Sequence, residues 1–250
     1  MTDINALSSG EQVSSGLGSN KTGILLSILA VFAPLIIMGG AGEWFGDNTA
    51  VGSVLISVAY MFSVIIATAV LRSRGTNWRE LGLARPDSWR KTVLLGVGTL
   101  VAYLVVSIAF QAILQAVMQL LPGLAMAPSD RSGFDPLYGN LPLLLLYLVA
   151  AWTTIAFGEE MLFRAFLTNG LAGLFPQFRA RWAFALVGSS LFFGLAHFSW
   201  GFAGVIETTI MGLFFGFVYL RSGRNLWITI IAHGLANTLG FILVFAGVGY

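Results

Sequence analysis

The sequence predicts an all-α, polytopic membrane protein with seven, or eight, transmembrane helices around a polar intramembrane cavity. Three observations carry this. Of 250 residues, 57% are hydrophobic and only 10% are charged, where soluble domains carry about 25% charge. The mean hydropathy is +0.84. The apolar residues gather in seven runs, on the scale of the ~20 residues a transmembrane helix needs. This composition excludes a soluble enzyme, a nucleic-acid binder and a disordered chain. The isoelectric point near 9.2 is no argument for nucleic acid, because the net charge is only +2. There is no cysteine, so disulfides, thiol nucleophiles and Cys-ligated metals are excluded.

Residues 1–22 are rich in Ser, Gly and Asn and read as a flexible tail. Asp3 and Glu11 stand where a signal peptide needs basic residues, so the first helix is expected to be retained. The membrane domain spans 23–250. Its apolar runs are 23–40, 50–71, 92–121, 141–174, 182–200, 202–220 and 226–248. None alternates like a strand, and backbone groups in lipid must pair within their own segment, so all are read as helices. The third and fourth exceed ~20 residues and must tilt, bend or leave the lipid.

The basic residues orient the bundle. With the N-terminus in the cytoplasm, eleven of thirteen Lys and Arg fall on the cytoplasmic side, six of them between Arg72 and Lys91. Arg131 stands opposite, beside Glu43, Asp47, Asp130 and Asp135, and Arg164 lies inside a run. The positive-inside rule then puts the C-terminus on the far side, in the inner membrane if the cell is bacterial. An eighth span or a helix broken near Gly234 is the other arrangement. No internal repeat is visible.

Ionisable residues at mid-membrane cost about 2.5–3.5 kcal/mol each on insertion scales, and here they gather in three places. In the fourth run Glu160 and Arg164 are spaced for an ion pair, and Thr153 shares their face. Glu159 lies at the edge of that face without a local partner. The fifth run ends on Phe193 and His197, and the seventh carries His233 and Asn237, one turn apart. Each alone reads equally well as helix-packing polarity. Together the insertion cost is on the order of 10 kcal/mol, as large as a domain's net stability, which favours convergence on one wet site. At 1.5 Å per residue, Glu159 and His197 stand about 22 and 24 Å above their cytoplasmic ends. His233 stands only about 13 Å above Arg224, so the seventh helix must tilt or begin higher. Two carboxylates and two imidazoles suit activation of water, with His and Asn donors for an oxyanion. The signatures of zinc, serine and paired-aspartate proteases are missing.

The three blocks resemble the CAAX protease and bacteriocin-processing (CPBP, or Abi) family of intramembrane endopeptidases, marked by Glu-Glu-x-x-x-Arg, Phe-x-x-x-His and His-x-x-x-Asn in that order. Here these are Glu159-Glu160…Arg164, Phe193…His197 and His233…Asn237. The stretch 214–223, leading to Asn225-Leu226-Trp227, is also similar. The resemblance covers about 140–240. It implies hydrolysis near the C-terminus of a membrane-presented peptide, such as a prenylated CAAX tail or a processed bacteriocin-type peptide. It further implies that Glu159 with His197 activates water, that His233 and Asn237 hold the oxyanion, and that Glu160 with Arg164 shapes the site. Glu159, His197 and His233 also have the composition of a Zn²⁺ site with one open position; they equally allow a metal-free route. The expected partners are the bilayer and a peptide or lipidated-peptide substrate. Two alternatives stand beside the protease: a non-catalytic scaffold or self-immunity protein of the same family, and a small proton-coupled transporter.

Other features have plainer readings. Gln111, Gln115 and Gln119 make a polar stripe, expected to serve interhelical hydrogen bonds. Glu207 is expected near headgroups. Gly212 and Gly216 are expected at a helix contact. The Arg72–Lys91 loop reads as a topology signal, with attraction to anionic lipids as the sharper idea.

Overall fold

The computed structural model describes residues 20–42, 49–121, 123 and 126–248. Residues 1–19 of the tail, and Glu43, Trp44 and Asp47, lie outside them. The described residues form seven long helices. They are α1 (Lys21–Gly42), α2 (Thr49–Ser73), α3 (Trp89–Leu120), α4 (Leu141–Leu174), α5 (Arg181–Leu195), α6 (Gly201–Arg221) and α7 (Leu226–Phe245). Six are long and apolar enough to cross a membrane, and α5 is a shorter apolar helix of 15 residues. The protein is thus an all-α, multi-pass integral membrane protein. Helix α7 runs unbroken through Gly234.

The helices pair as α1 with α2, α3 with α7, and α5 with α6. Small residues set these contacts. A Cβ on Gly96 of α3 would stand 2.7 Å from Ile231 of α7, and one on Gly212 of α6 would stand 3.0 Å from Ser190 of α5. Gly216 likewise faces Leu186, so the Gly212/Gly216 pair is the helix contact expected of it. Away from its buried stripe of Thr92, Gly96 and Thr99, α3 exposes Leu94, Val101, Val105 and Ile108, a face suited to lipid chains.

Helix α4 positions the site. Asn140 caps it, accepting from the Leu143 N–H at 3.1 Å. It is not uniformly α-helical: Ala151–Ile155 and Glu160–Leu167 are wide, π-type turns. Hydroxyl and amide side chains cap carbonyls along these stretches. Thr154 donates to Ala150 O at 3.1 Å, Thr168 to Phe163 O at 2.9 Å and Asn169 to Ala165 O at 2.6 Å. Wide turns shift the phase of a helix and recur at functional sites. The shift corrects one expectation: Thr153 is exposed, while Glu160 and Arg164 are buried. Every residue from Gly158 to Gly170 is buried, and the main apolar core wraps this segment with Ile24 and Phe32 of α1, Leu71 of α2, Phe193 of α5, Phe215 of α6 and Ile230 of α7. A second cluster, Leu137, Tyr147, Ala151 and Phe241, joins the turn Ser132–Leu137 to α4 and α7.

Candidate active site

Helix α4 presents two consecutive glutamates to α7, Glu159 closing a regular turn and Glu160 opening the wide one. Glu160, fully buried, accepts from His233 Nδ1 at 2.9 Å and faces Arg164 Nη1 at 3.3 Å. Glu159, 4% exposed, has its Oε2 3.5 Å from His233 Nε2. That spacing is long for a good direct hydrogen bond. His233 thus stands between the two carboxylates, and the depth mismatch counted along the sequence does not separate them. The phenol of Tyr60, on α2, donates to Glu159 Oε1 at 2.9 Å. The Arg164 guanidinium lies 4.4 Å from the centre of the Phe193 ring, a cation–π contact that offsets part of its burial.

His197 lies just past the end of α5, in contact with the rings of Phe193 and Trp200, both at 4.7 Å. Its Nδ1 is 2.8 Å from Phe193 O. A carbonyl can only accept, so this contact places the proton on Nδ1 and leaves the Nε2 lone pair of the neutral ring free to take one. Phe193 touches both imidazoles, its ring 6.4 Å from that of His233, and His197 is within electrostatic range of Glu159.

Four buried polar atoms around the cluster have no hydrogen-bond partner among the described residues: Glu160 Oε2, Arg164 Nη1 and Nη2, and Asn237 Nδ2. Buried groups of this kind are rare in folded proteins. Asn237 is one turn beyond His233 on α7, and its amide is an uncommitted donor. Among the described residues no group of three or more His, Asp or Glu is placed to hold a metal ion. Nδ1 of His233 and Nδ1 of His197 are turned to a carboxylate and a carbonyl oxygen, the orientation that leaves Nε2 as the ligating nitrogen where a ring binds a metal.

Of the six residues singled out from the sequence, Glu159, Glu160, Arg164 and His233 form one connected cluster, His197 is within electrostatic range of Glu159, and Asn237 follows His233 by one turn. Tyr60 was not foreseen. Its signal was a polar stripe, Ser57, Tyr60 and Ser63, in the middle of a mostly apolar helix. Glu207 gathers partners from two other segments. It accepts from Gln111 at 2.8 Å, Ser129 at 3.1 Å and Arg131 at 2.8 Å. Gln111 is thereby an interhelical hydrogen-bond donor as expected, while Gln115 and Gln119 are exposed. Arg131 also lies 4.8 Å from the Trp200 ring, so this second polar group fixes the 126–137 segment beside His197.

Residues 141–239 match a family model described as type II CAAX prenyl endopeptidase, Rce1-like. The matched segment is similar to that family. It contains the two glutamates, both histidines and Asn237, and therefore the whole cluster except Tyr60. CAAX prenyl protease 2 of Saccharomyces cerevisiae is 31% identical over 101 residues, which take in 33% of this chain and 32% of that protein. The chain thus spans about a third of the length of the curated relative it matches. No solved structure matches it.

Proposed function

We propose that this protein hydrolyses a peptide bond of a membrane-presented peptide, of prenylated CAAX or peptide-processing type, without a metal ion. The observation that carries the reading is the buried Glu159–His233–Glu160–Arg164 cluster together with two uncommitted groups, His197 Nε2 and Asn237 Nδ2. Water held between Glu159 and His197 gives up a proton to this pair as its oxygen attacks the carbonyl carbon. The carbonyl π pair moves to oxygen, and the Asn237 amide donates to that oxyanion. Collapse of the tetrahedral species breaks the C–N bond, and the stored proton passes to the departing amine. Tyr60 holds Glu159 in place; Arg164 neutralises Glu160 and so keeps a second charge from opposing the oxyanion. The N-terminus is cytoplasmic and the C-terminus on the far side, a reading that rests on the distribution of Lys and Arg.

The test is cleavage of a reporter peptide by detergent-purified protein, wild type against Glu159→Ala, His197→Ala and Asn237→Ala. Loss of one oxyanion donor costs about 10²–10³ in rate, and loss of the base about 10²–10⁴. Equal turnover in all four proteins would sink the assignment. Activity that falls with exhaustive chelation and returns with Zn²⁺ would refute the metal-free route alone.

A further inference from the structure

A second site lies at the opposite end of α7 from its C-terminus. An open pocket of about 570 Å³ is formed by the 79–88 loop, the first turns of α3 and the turn before α7. Its walls are tied together. The Tyr219 hydroxyl donates to Leu81 O at 2.7 Å, and the Trp227 indole N–H to Ala84 O at 3.1 Å. At Gly82, with φ at 106°, a Cβ would collide with the Arg224 carbonyl oxygen, so only glycine allows the two segments to close this tightly.

Four cations line the pocket, Arg79, Arg85, Lys91 and Arg224, against two acids, Glu80 and Asp87. Glu80 is occupied by Thr76 at 2.9 Å and Asn77 at 2.7 Å. Arg224 is held by Asn169 at 2.9 Å. The side chains of Arg79, Arg85 and Lys91 have no hydrogen-bond or ion-pair partner among the described residues. Three uncommitted cations around one concavity raise the local potential for anions well above that of scattered surface charges. Helices α3 and α7 also begin here, and their positive ends add to it. From the rim, α3 rises with Trp89, Leu94 and Leu95 exposed, which places an acyl-chain surface directly beside the basic pocket.

The geometry points to a binding site for a phosphate-bearing anion in this pocket, with the headgroup of an anionic lipid lying along α3 as the occupant the exposed apolar face favours. The site is independent of the peptidase reading and shares no residue with it.

The experiment is native mass spectrometry of the full chain in neutral detergent, titrated with short-chain phosphatidylglycerol and, separately, phosphatidylcholine. The wild type should prefer phosphatidylglycerol. Arg79→Gln/Arg85→Gln/Lys91→Gln should lose affinity on the order of a hundredfold, taking the usual contribution per basic residue near an anionic surface. A charge-matched control, Arg72→Gln/Arg179→Gln/Arg221→Gln, should retain it. Equal affinity for the two lipids in the wild type, or equal loss in both triple variants, overturns the site. Should the pocket triple not fold by far-UV circular dichroism, the single Arg85→Gln and Lys91→Gln variants carry the test, each with a several-fold loss expected and none overturning it. Displacement of the lipid by inorganic phosphate assigns the free anion as the natural occupant; retention in its presence assigns the lipid.

Discussion

Replacing Arg164 by Met probes the most costly arrangement in the molecule. Glu160 is fully buried, and Arg164 is 2% exposed. Without the guanidinium, the Glu160 carboxylate keeps the His233 N–H and the Thr229 hydroxyl but no full charge that is fixed beside it, and the Phe193 ring loses its cation. Breaking a buried pair by removing one partner costs about 3–5 kcal/mol, because the surviving charge stays buried and uncompensated. Removing both charges is far milder, since the desolvation of each disappears with it. The double variant Glu160→Gln/Arg164→Met should therefore recover about 2 kcal/mol or more of the single variant's loss, a coupling in the range that contacting residues show. The assay is reversible unfolding in mixed micelles of dodecylmaltoside and increasing SDS, followed by circular dichroism. A cost below about 1 kcal/mol for Arg164→Met, or a double variant whose cost is the sum of the singles within about 0.5 kcal/mol, would refute the reasoning.

Three further outcomes are expected. Tyr60→Phe removes the hydrogen bond to Glu159 and should lower kcat about tenfold at unchanged KM, a hydrogen bond to a charged group contributing about 1.5–3 kcal/mol; reporter-peptide kinetics check it. Gly96→Ala should lower the thermal midpoint, because its Cβ meets Ile231 at 2.7 Å, whereas Gly98→Ala, with nothing within 4 Å, should leave it unchanged or raised; a common scan of both decides. Glu207→Gln removes the carboxylate that three side chains share and should make the 126–137 segment cleave faster in limited proteolysis, with no change in the rate at other sites.

The site was legible where membrane physics makes a residue conspicuous. An ionisable side chain in lipid is costly, so Glu159, Glu160, Arg164 and His233 announced themselves, and the four-residue spacing of Glu160 and Arg164 foretold their contact. The long helix 141–174 was legible as a single span, because no proline stands between Pro142 and Pro176 to break it. What escaped reading was the phase of that helix. Regular α-geometry puts Thr153 beside Glu160, and the wide turns undo it; a wide turn has no residue signature as sharp as proline. Tyr60 escaped because a phenol in a membrane helix is unremarkable until a carboxylate stands opposite. Glu207 escaped because its partners, Gln111, Ser129 and Arg131, are 76 to 96 residues distant in the chain.

The two wide turns of α4 have a consequence for how the chain tolerates changes in length. A wide turn holds one surplus residue while both flanks stay helical. Insertions and deletions are usually the business of loops, yet here a membrane helix has its own places to absorb them. A residue removed within 151–155 tightens that turn and leaves Leu144 and Tyr147 on one flank, and the glutamates on the other, facing as they do now. The same deletion in the regular stretch 143–148 turns everything before it by about 100° relative to the site. Families of related chains should therefore differ in length inside this helix at the wide turns and nowhere else along it.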